Sequence, residues 1–244
     1  MAVAWYAVRA MAGLYAILDW PHAGGLDVAA AASGLVGARP NGVGPTMLQL
    51  RAKASDTSTR VALLEQVAPV CRAAGVPLIV NDDIEAALAR PGLAQGLHLG
   101  QADLARLGAP ETWPGWIAAL RERGGAGFIL GVSTHDLTQV RASAGLPVDY
   151  IGFGPVLPTR SKAQHEPSVG FAGLSAACVV ARHPVVAIGG LDAEGAVRAA
   201  SCGAAMVATI GALVAPAAGE VRARVVALAT GLAAIRSASG ALGS

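Results

Sequence analysis

Acidic, basic and amide residues cluster just after short apolar runs, and that placement could do chemistry. Leu78–Val80 is followed by Asn81, Asp82 and Asp83. Leu97–Leu99 contains His98 and is followed by Gln101 and Asp103. A short apolar run bounded by Gly, Pro or acidic residues reads as a buried strand. Two such strands joined by the helix-like IEAALA read as a parallel βαβ unit, whose strands present their C-terminal ends on one side. Asp82 and Asp103 would then share a mouth, and two carboxylates there suit Mg²⁺ held against a substrate phosphate. Each Asp taken singly is also a good cap for the helix that follows it.

A second cluster is the run Gln49, Leu50, Arg51, Ala52 and Lys53. Residues i, i+2 and i+4 of a strand share a side, so Gln49, Arg51 and Lys53 can all enter the mouth. Unpaired buried charge is costly, so two cations there imply an anionic ligand. The alternative is an internal ion pair with Asp82 or a neighbour. Phe128–Val132 delivers Ser133, a hydroxyl at the rim, and then His135, which reads as a surface or capping residue. Tyr150–Phe153 leads into the loop GPVLPTRSKAQHEPSVG. In it Thr159, Ser161 and Lys162 make a phosphate clamp, with Arg160 between them turned the other way. His165 and Glu166 read as lid or solvated residues. The last two apolar runs end in Gly189-Gly190 and Ile210-Gly211, where backbone N–H groups can hold phosphate.

Two separable anion sites result. Arg51, Lys53, Asp82, Asp103 and Lys162 suit a diphosphate with a metal ion, and the glycine amides near Gly190 and Gly211 suit a monophosphate. Such an enzyme would join a diphosphate substrate to a phosphorylated partner, since diphosphate leaves well once neutralised. The chain shows no Ser-His-Asp order and no obvious covalent nucleophile, so positioning and electrostatics would carry the catalysis.

The elements that must position these groups follow from eight apolar runs alternating with helical segments. The runs are Leu14–Leu18, Met47–Arg51, Leu78–Val80, Leu97–Leu99, Phe128–Val132, Tyr150–Phe153, Val185–Ile188 and Met206–Ile210. Helices are expected over Leu26–Ala38 (ended by Pro40-Asn41-Gly42), Thr57–Ala74 (bent or ended by Pro69), Ala102–Arg123 (broken by Pro110 and Pro114), Asp136–Ser143, Phe171–Arg182, Asp192–Ser201 and Glu220–Ser237. The pattern is an α/β fold, a single (β/α)8 TIM barrel, with an open doubly wound sheet as its competitor. One domain over residues 1–244 is expected, its core running from about residue 13 to 236.

Composition narrows the partners. Of 244 residues, 54% are hydrophobic and only 4% aromatic, so a large core must be packed by Ala, Val, Leu and Ile. A net charge of +2, with no basic-aromatic interleaving, gives no reason to expect nucleic acid or a membrane surface. The expected partners are small-molecule substrates, with a homodimer allowed. Cys71, Cys178 and Cys202 show neither CxxC nor Cys-His spacing and read as small buried hydrophobes of a reduced, cytoplasmic protein. The N-terminal run lacks a basic leader and a cleavage site, so a signal peptide is not expected. The charge-free stretch from Ala199 to just before Glu220 is interrupted by Gly203, Gly211 and Pro216, and reads as helix end, strand and loop, with a membrane span as the minor alternative.

The motifs together resemble the thiamine-phosphate synthase (thiamine-phosphate pyrophosphorylase) family. QLRAK at Gln49–Lys53, NDD at Asn81–Asp83, GLHLGQADL at Gly96–Leu104, GVSTH at Gly131–His135, DYIGFGPVLPTRSK at Asp149–Lys162 and AIGGL at Ala187–Leu191 occur in the family's order between Leu14 and Leu213. The resemblance implies an alkyl-group transferase that couples hydroxymethylpyrimidine diphosphate with thiazole phosphate, or its carboxylated form, giving thiamine phosphate and diphosphate. It implies that Gln49, Arg51, Lys53, Asn81 and Lys162 hold the pyrimidine diphosphate, with Leu50, Ala52, His98 and Arg160 in the same substrate-binding motifs. It further implies that Asp82 and Asp103 bind Mg²⁺, that Ser133 hydrogen-bonds near the pyrimidine or its leaving group, and that Thr159, Ser161, Gly190, Ile210 and Gly211 hold the thiazole phosphate. Lys162, Ser133, Arg51 and Lys53 are the expected catalytic residues. The chain departs from the family's usual TxTK with Thr159-Arg160-Ser161-Lys162, which keeps the hydroxyl. It also has Gly211 where the family often has Ser, which removes one hydroxyl contact to phosphate.

Other readings use fewer of these residues. A thiazole tautomerase-like isomerase would need a proton-transfer group such as His135 and no diphosphate site. A non-catalytic ligand-binding homologue would keep the pockets without turnover. A phosphate-binding barrel isomerase of amino-acid biosynthesis would share the glycine site but not QLRAK.

Overall fold

The computed structural model describes residues 13–37, 43–159 and 167–241, with side chains described as far as residue 235. Strands alternate with helices: β1 Gly13–Asp19, α1 Val28–Val36, β2 Pro45–Arg51, α2 Thr57–Ala74, β3 Leu78–Asn81, α3 Ile84–Leu88, β4 Gly96–Leu99, α4 Gln101–Arg106, α5 Trp113–Gly124, β5 Ile129–Thr134, α6 Leu137–Ala142, β6 Tyr150–Phe153, α7 Gly170–Val180, β7 Val185–Ile188, α8 Ala193–Ser201, β8 Met206–Thr209 and α9 Ala218–Ala241. The eight strands form a closed parallel barrel in sequence order. Closure rests on β8 pairing back onto β1, from Gly13 opposite Met206 to Ala16 opposite Thr209. The open sheet is therefore excluded, and all strand C-termini surround one mouth.

Strand alternation sorts the side chains into two cores. One set, including Tyr15, Ile17, Met47, Ile79, Tyr150 and Met206, fills the barrel interior. The alternate set, including Leu14, Leu48, Leu78, Leu97, Val132 and Ile151, packs outward under the helices. Helix faces built from Ala, Val and Leu, such as Ala31, Ala32 and Leu35 of α1, complete that outer core. Each Leu or Val withdrawn from water there contributes roughly 1.5–3 kcal/mol.

Several helix starts are set by an aspartate. Asp27, Asp56, Asp83, Asp136 and Asp192 each accept a backbone N–H three residues on, at the N-caps of α1, α2, α3, α6 and α8. Pro69 does not end α2, which runs on through it to Ala74. It sits on the exposed face together with Glu65, whose carbonyl is the one left without a helical N–H partner by the proline. Pro110 and Pro114 behave differently. The region breaks after α4, a 3₁₀ turn spans Pro110–Thr112, and Pro114 lies at the start of α5, where its missing N–H costs nothing.

Ala199–Glu220 divides into the end of α8, β8, a 3₁₀ turn at Gly211–Leu213 and the start of α9. Among the described residues no helix is long and apolar enough to cross a membrane. All three cysteines are free thiols. Cys71 is buried, which pushes its thiol up to about 12. Cys178 and Cys202 are only half-buried, against expectation, and burial with the nearby Cys202 pushes Cys178 up to about 11.

Candidate active site

The chain has nine aspartates, and most have structural work that can be named. Five cap helices. Asp149 accepts from Arg121 at 2.8 Å and from the Leu130 N–H at 2.7 Å. Asp19, at the tip of β1, is paired with Arg51 at the tip of β2. Asp82 and Asp103 remain, and their carboxyl groups face each other across the tips of β3 and β4, close enough for each to shift the other's ionisation.

Asp82 is held tightly. Its φ is +65°, the only positive value among the described non-glycine residues, a conformation costing of order 1–3 kcal/mol that must be over-determined by its surroundings. The surroundings do so. Its N–H donates to the His98 carbonyl at 2.8 Å, Oδ1 accepts the Gly100 N–H at 3.1 Å, and Oδ2 accepts from Asn81 Nδ2 at 2.6 Å. Lys53 Nζ lies 3.3 Å from Oδ2. Burial pushes this carboxyl up, but Lys53, His98, Asp103 and the Gly100 N–H together outweigh burial and hold it below the ordinary range. Asp103 goes the other way. Burial, then the Asp82 charge, raise it, and the exposed Arg106 guanidinium at 2.5 Å only partly offsets them.

That opposition marks a place short of positive charge. A Cβ built on Gly100 would lie 3.0 Å from Asp103 Oδ2 and 3.5 Å from Asp82 Oδ1, so both oxygens converge over a residue with no side chain to block them. Two hard oxygen donors with further positions open to water and phosphate fit Mg²⁺, which commonly takes one or two carboxylates together with substrate phosphates. Among the described residues no group of three or more His, Cys, Asp or Glu side chains is placed to hold a metal ion, so the pair would supply two protein ligands and leave the rest to substrate and water.

The QLRAK run divides by strand alternation. Leu50 and Ala52 are buried in the core beneath the helices, so their side chains lie away from the mouth. Gln49 faces the interior but below the rim, 4% exposed, with Nε2 donating to Tyr15 Oη at 2.8 Å. Arg51 is nearly buried against Asp19, while Lys53 is 56% exposed beside Asp82. The internal ion pair held as an alternative is therefore present for both cations. Pairing does not remove them from the mouth, because a ligand phosphate can share a cation with its carboxylate. Asp83 is the structural member of NDD: it caps α3 and accepts from Arg60 at 2.7 Å and Thr57 at 2.8 Å.

Across β4, β5 and β6, His98 Nε2 meets Ser133 Oγ at 2.9 Å, and the Ser133 carbonyl accepts from Gln101. His135 is held down as a structural residue, its N–H on Gln139 Oε1 at 2.8 Å and its Nδ1 2.6 Å from the Gly154 carbonyl. Thr159 is half-buried at the end of the described part of the β6–α7 loop. Arg160, Ser161 and Lys162, with His165 and Glu166, lie outside the described residues, as does Pro40-Asn41-Gly42.

The β7 and β8 tips are built from backbone. Gly189 and Gly190 have φ of +103° and +66°. A Cβ on Gly190 would sit 2.5 Å from the Pro158 carbonyl oxygen and 2.8 Å from Leu157 Cβ. Ile210 packs against the barrel interior and Gly211 opens the turn after it, where an added Cβ would meet nothing within 4 Å. Sequence reading missed Asp19, Tyr15, Tyr150 and Gly100. The alternation Tyr15, Ile17, Asp19 on β1 was the available signal for the first two.

The family model for thiamine monophosphate synthase matches residues 25–213. A thiamine-phosphate synthase of Levilactobacillus brevis is 40% identical over 171 residues, covering 68% of this chain and 73% of that protein. A rice protein described as a probable chloroplastic thiamine biosynthetic bifunctional enzyme is 39% identical over 153 residues. That match covers 63% of this chain but only 25% of the rice protein. Among solved structures, a thiamine phosphate pyrophosphorylase from Pyrococcus furiosus superposes with a TM-score of 0.72 at 25% identity, covering 93% of this chain and 98% of that one.

Proposed function

The chain belongs to the thiamine monophosphate synthase family, and from that premise we propose that it is a thiamine-phosphate synthase joining a pyrimidine diphosphate to a thiazole phosphate with release of diphosphate. The observation that carries this reading is the convergence of Asp82, Asp103 and Lys53 on one side of a mouth whose other side, at Gly190 and Gly211, is backbone. Acid and base together at β2–β4 suit a highly charged leaving group, and glycine tips suit a smaller phosphate.

Bound Mg²⁺, held by Asp82 and Asp103, would neutralise diphosphate oxygens. The chain's own residues do the rest. Lys53, Arg51 and Lys162 neutralise the departing diphosphate, which takes with it the electron pair of the methylene C–O bond. Asn81 steadies Asp82. Ser133 contacts the pyrimidine, whose amino group feeds electrons to the methylene carbon left behind. Thr159, Ser161, Gly190, Ile210 and Gly211 hold the thiazole phosphate so that its ring nitrogen faces that carbon and forms the new C–N bond. Positioning is the main contribution, since no proton need move for either bond to change. The reading includes a single barrel domain working in the cytoplasm, with a homodimer compatible with it.

Purified protein given both substrates and Mg²⁺ should release diphosphate and form thiamine phosphate in equal amounts. Absence of both products, with the protein folded, would end the synthase reading.

A further inference from the structure

Five side chains from five strands form a continuous hydrogen-bonded chain through the barrel interior. Gln49 Nε2 donates to Tyr15 Oη at 2.8 Å. Tyr15 Oη lies 2.9 Å from Tyr150 Oη, Tyr150 Oη lies 3.1 Å from His98 Nδ1, and His98 Nε2 lies 2.9 Å from Ser133 Oγ. Both tyrosines are almost completely buried. Their rings meet edge to face at 5.8 Å, and the His98 ring lies 5.5 Å from the Tyr150 ring at 21°. The imidazole fits because residue 152 is glycine: a Cβ there would lie 3.3 Å from His98 Cε1.

Donor counting gives this chain a direction. An amide nitrogen only donates, so Tyr15 Oη accepts from Gln49. Each phenol has one hydrogen, and among the described residues Tyr150 Oη is the acceptor within reach of the Tyr15 hydrogen, so that hydrogen is assigned to Tyr150, whose own then goes to His98 Nδ1. Burial raises both phenols well above their ordinary range, which keeps both hydrogens in place. An Nδ1 that accepts carries no proton, so neutral His98 is the Nε2–H tautomer and donates to Ser133 Oγ. The Ser133 hydrogen is then left to point away from His98, toward the mouth.

We propose that Tyr15 and Tyr150 are positioning residues for the reaction: with Gln49 they fix the His98 tautomer and so make the half-exposed Ser133 hydroxyl a donor, matched to a substrate lone pair such as a ring nitrogen of a pyrimidine. The substrate part of this inference rests on the synthase reading above; the tautomer part does not. An inward-pointing Ser133 hydrogen would present only oxygen lone pairs to the mouth and would disfavour a ring nitrogen.

Nitrogen-15 NMR of histidine-labelled protein at about pH 8, where an ordinary imidazole is neutral, reads the tautomer directly. Wild type should carry the His98 proton on Nε2. Tyr150→Phe removes the group that fixes the tautomer, so both forms should become populated. Its kcat/KM for the pyrimidine diphosphate should fall about tenfold, while KM for the thiazole phosphate moves less than about twofold. Thermal melting checks that the variant folds. If it does not, Tyr15→Phe, which frees the Tyr150 hydrogen from its direction, should show the same mixing. A wild-type proton on Nδ1, or a folded Tyr150→Phe whose His98 stays wholly Nε2–H, overturns the proposal. If wild type shows the expected tautomer and Tyr150→Phe mixes it, but wild type forms no thiamine phosphate, the hydrogen-bond chain stands and the synthase reading falls.

Discussion

The β2–β5 arc of the mouth and the β7–β8 arc are built by opposite means. In the first, charged groups are tied to one another: Arg51 to Asp19, Lys53 to Asp82, Asp82 to Asp103, and Asp103 to Arg106. In the second, at Gly189, Gly190 and Gly211, the side chains are missing, and two of the three glycines hold backbone angles that other residues rarely adopt. A linked set of charges can exchange partners when an anion arrives, but removing one member strands its partner. A glycine surface brings backbone close to a ligand, and what it tolerates depends on the room at each position.

Four experiments would break or sharpen that contrast. The largest effect is expected from Asp82→Asn and Asp103→Asn, each lowering kcat/KM by about a thousandfold or more, read in a diphosphate-release assay. Asn tolerates the positive φ at position 82, so the fold should survive; near-normal rates would detach the acid pair from catalysis. Next is Gly190→Ala, which meets both the backbone angle and the Pro158 carbonyl. A destabilisation of about 2 kcal/mol and a rise of at least about tenfold in KM for the thiazole phosphate are expected in melting and steady-state kinetics. Gly211→Ser is the opposite case, with open space and no positive φ, so the added hydroxyl should tighten thiazole phosphate binding by about three- to tenfold. Weaker binding there would separate Gly211 from the phosphate.

The smallest effect is a stability change with pH. The Asp103 carboxyl is raised in the folded protein, so its contribution to stability is full below its unfolded value and is lost as pH rises through its folded value. At neutral pH without Mg²⁺, Asp103→Asn should therefore be at least as stable as wild type, by less than about 1 kcal/mol given the partial exposure. Added Mg²⁺ should raise the melting temperature of wild type and not of the variant. For wild type that gain should fade on acidification sooner than an ordinary aspartate would cause.

Much of the barrel could be read from the chain. Tyr150–Phe153, Val185–Ile188 and Thr57–Ala74 occupy the expected residues, because short β-branched runs and an Asp-capped amphipathic helix are local signals. The helix does not end at Pro69 because that residue lies on its exposed face, and which face a proline takes is a property of the packed helix. Within the site, the Asp82–Asp103 meeting followed from βαβ geometry alone. The Asp19–Arg51 pair did not, since it depends on the β1–β2 register that sets Asp19 opposite Arg51. Tyr15 and Tyr150 resembled ordinary core aromatics; only strand closure brings their hydroxyls together. Leu50 and Ala52 shared a motif with Arg51 but not a face, which alternation alone could have separated.

The left-handed backbone at Asp82 leaves an evolutionary trace to look for. Glycine would relieve that residue's strain and asparagine would adopt the same conformation with little penalty. Retaining aspartate therefore runs against the local conformational preference. In descendants released from selection on the acid pair, drift at position 82 should settle on glycine or asparagine, so that one codon would distinguish barrels that have retired their chemistry from those still using it.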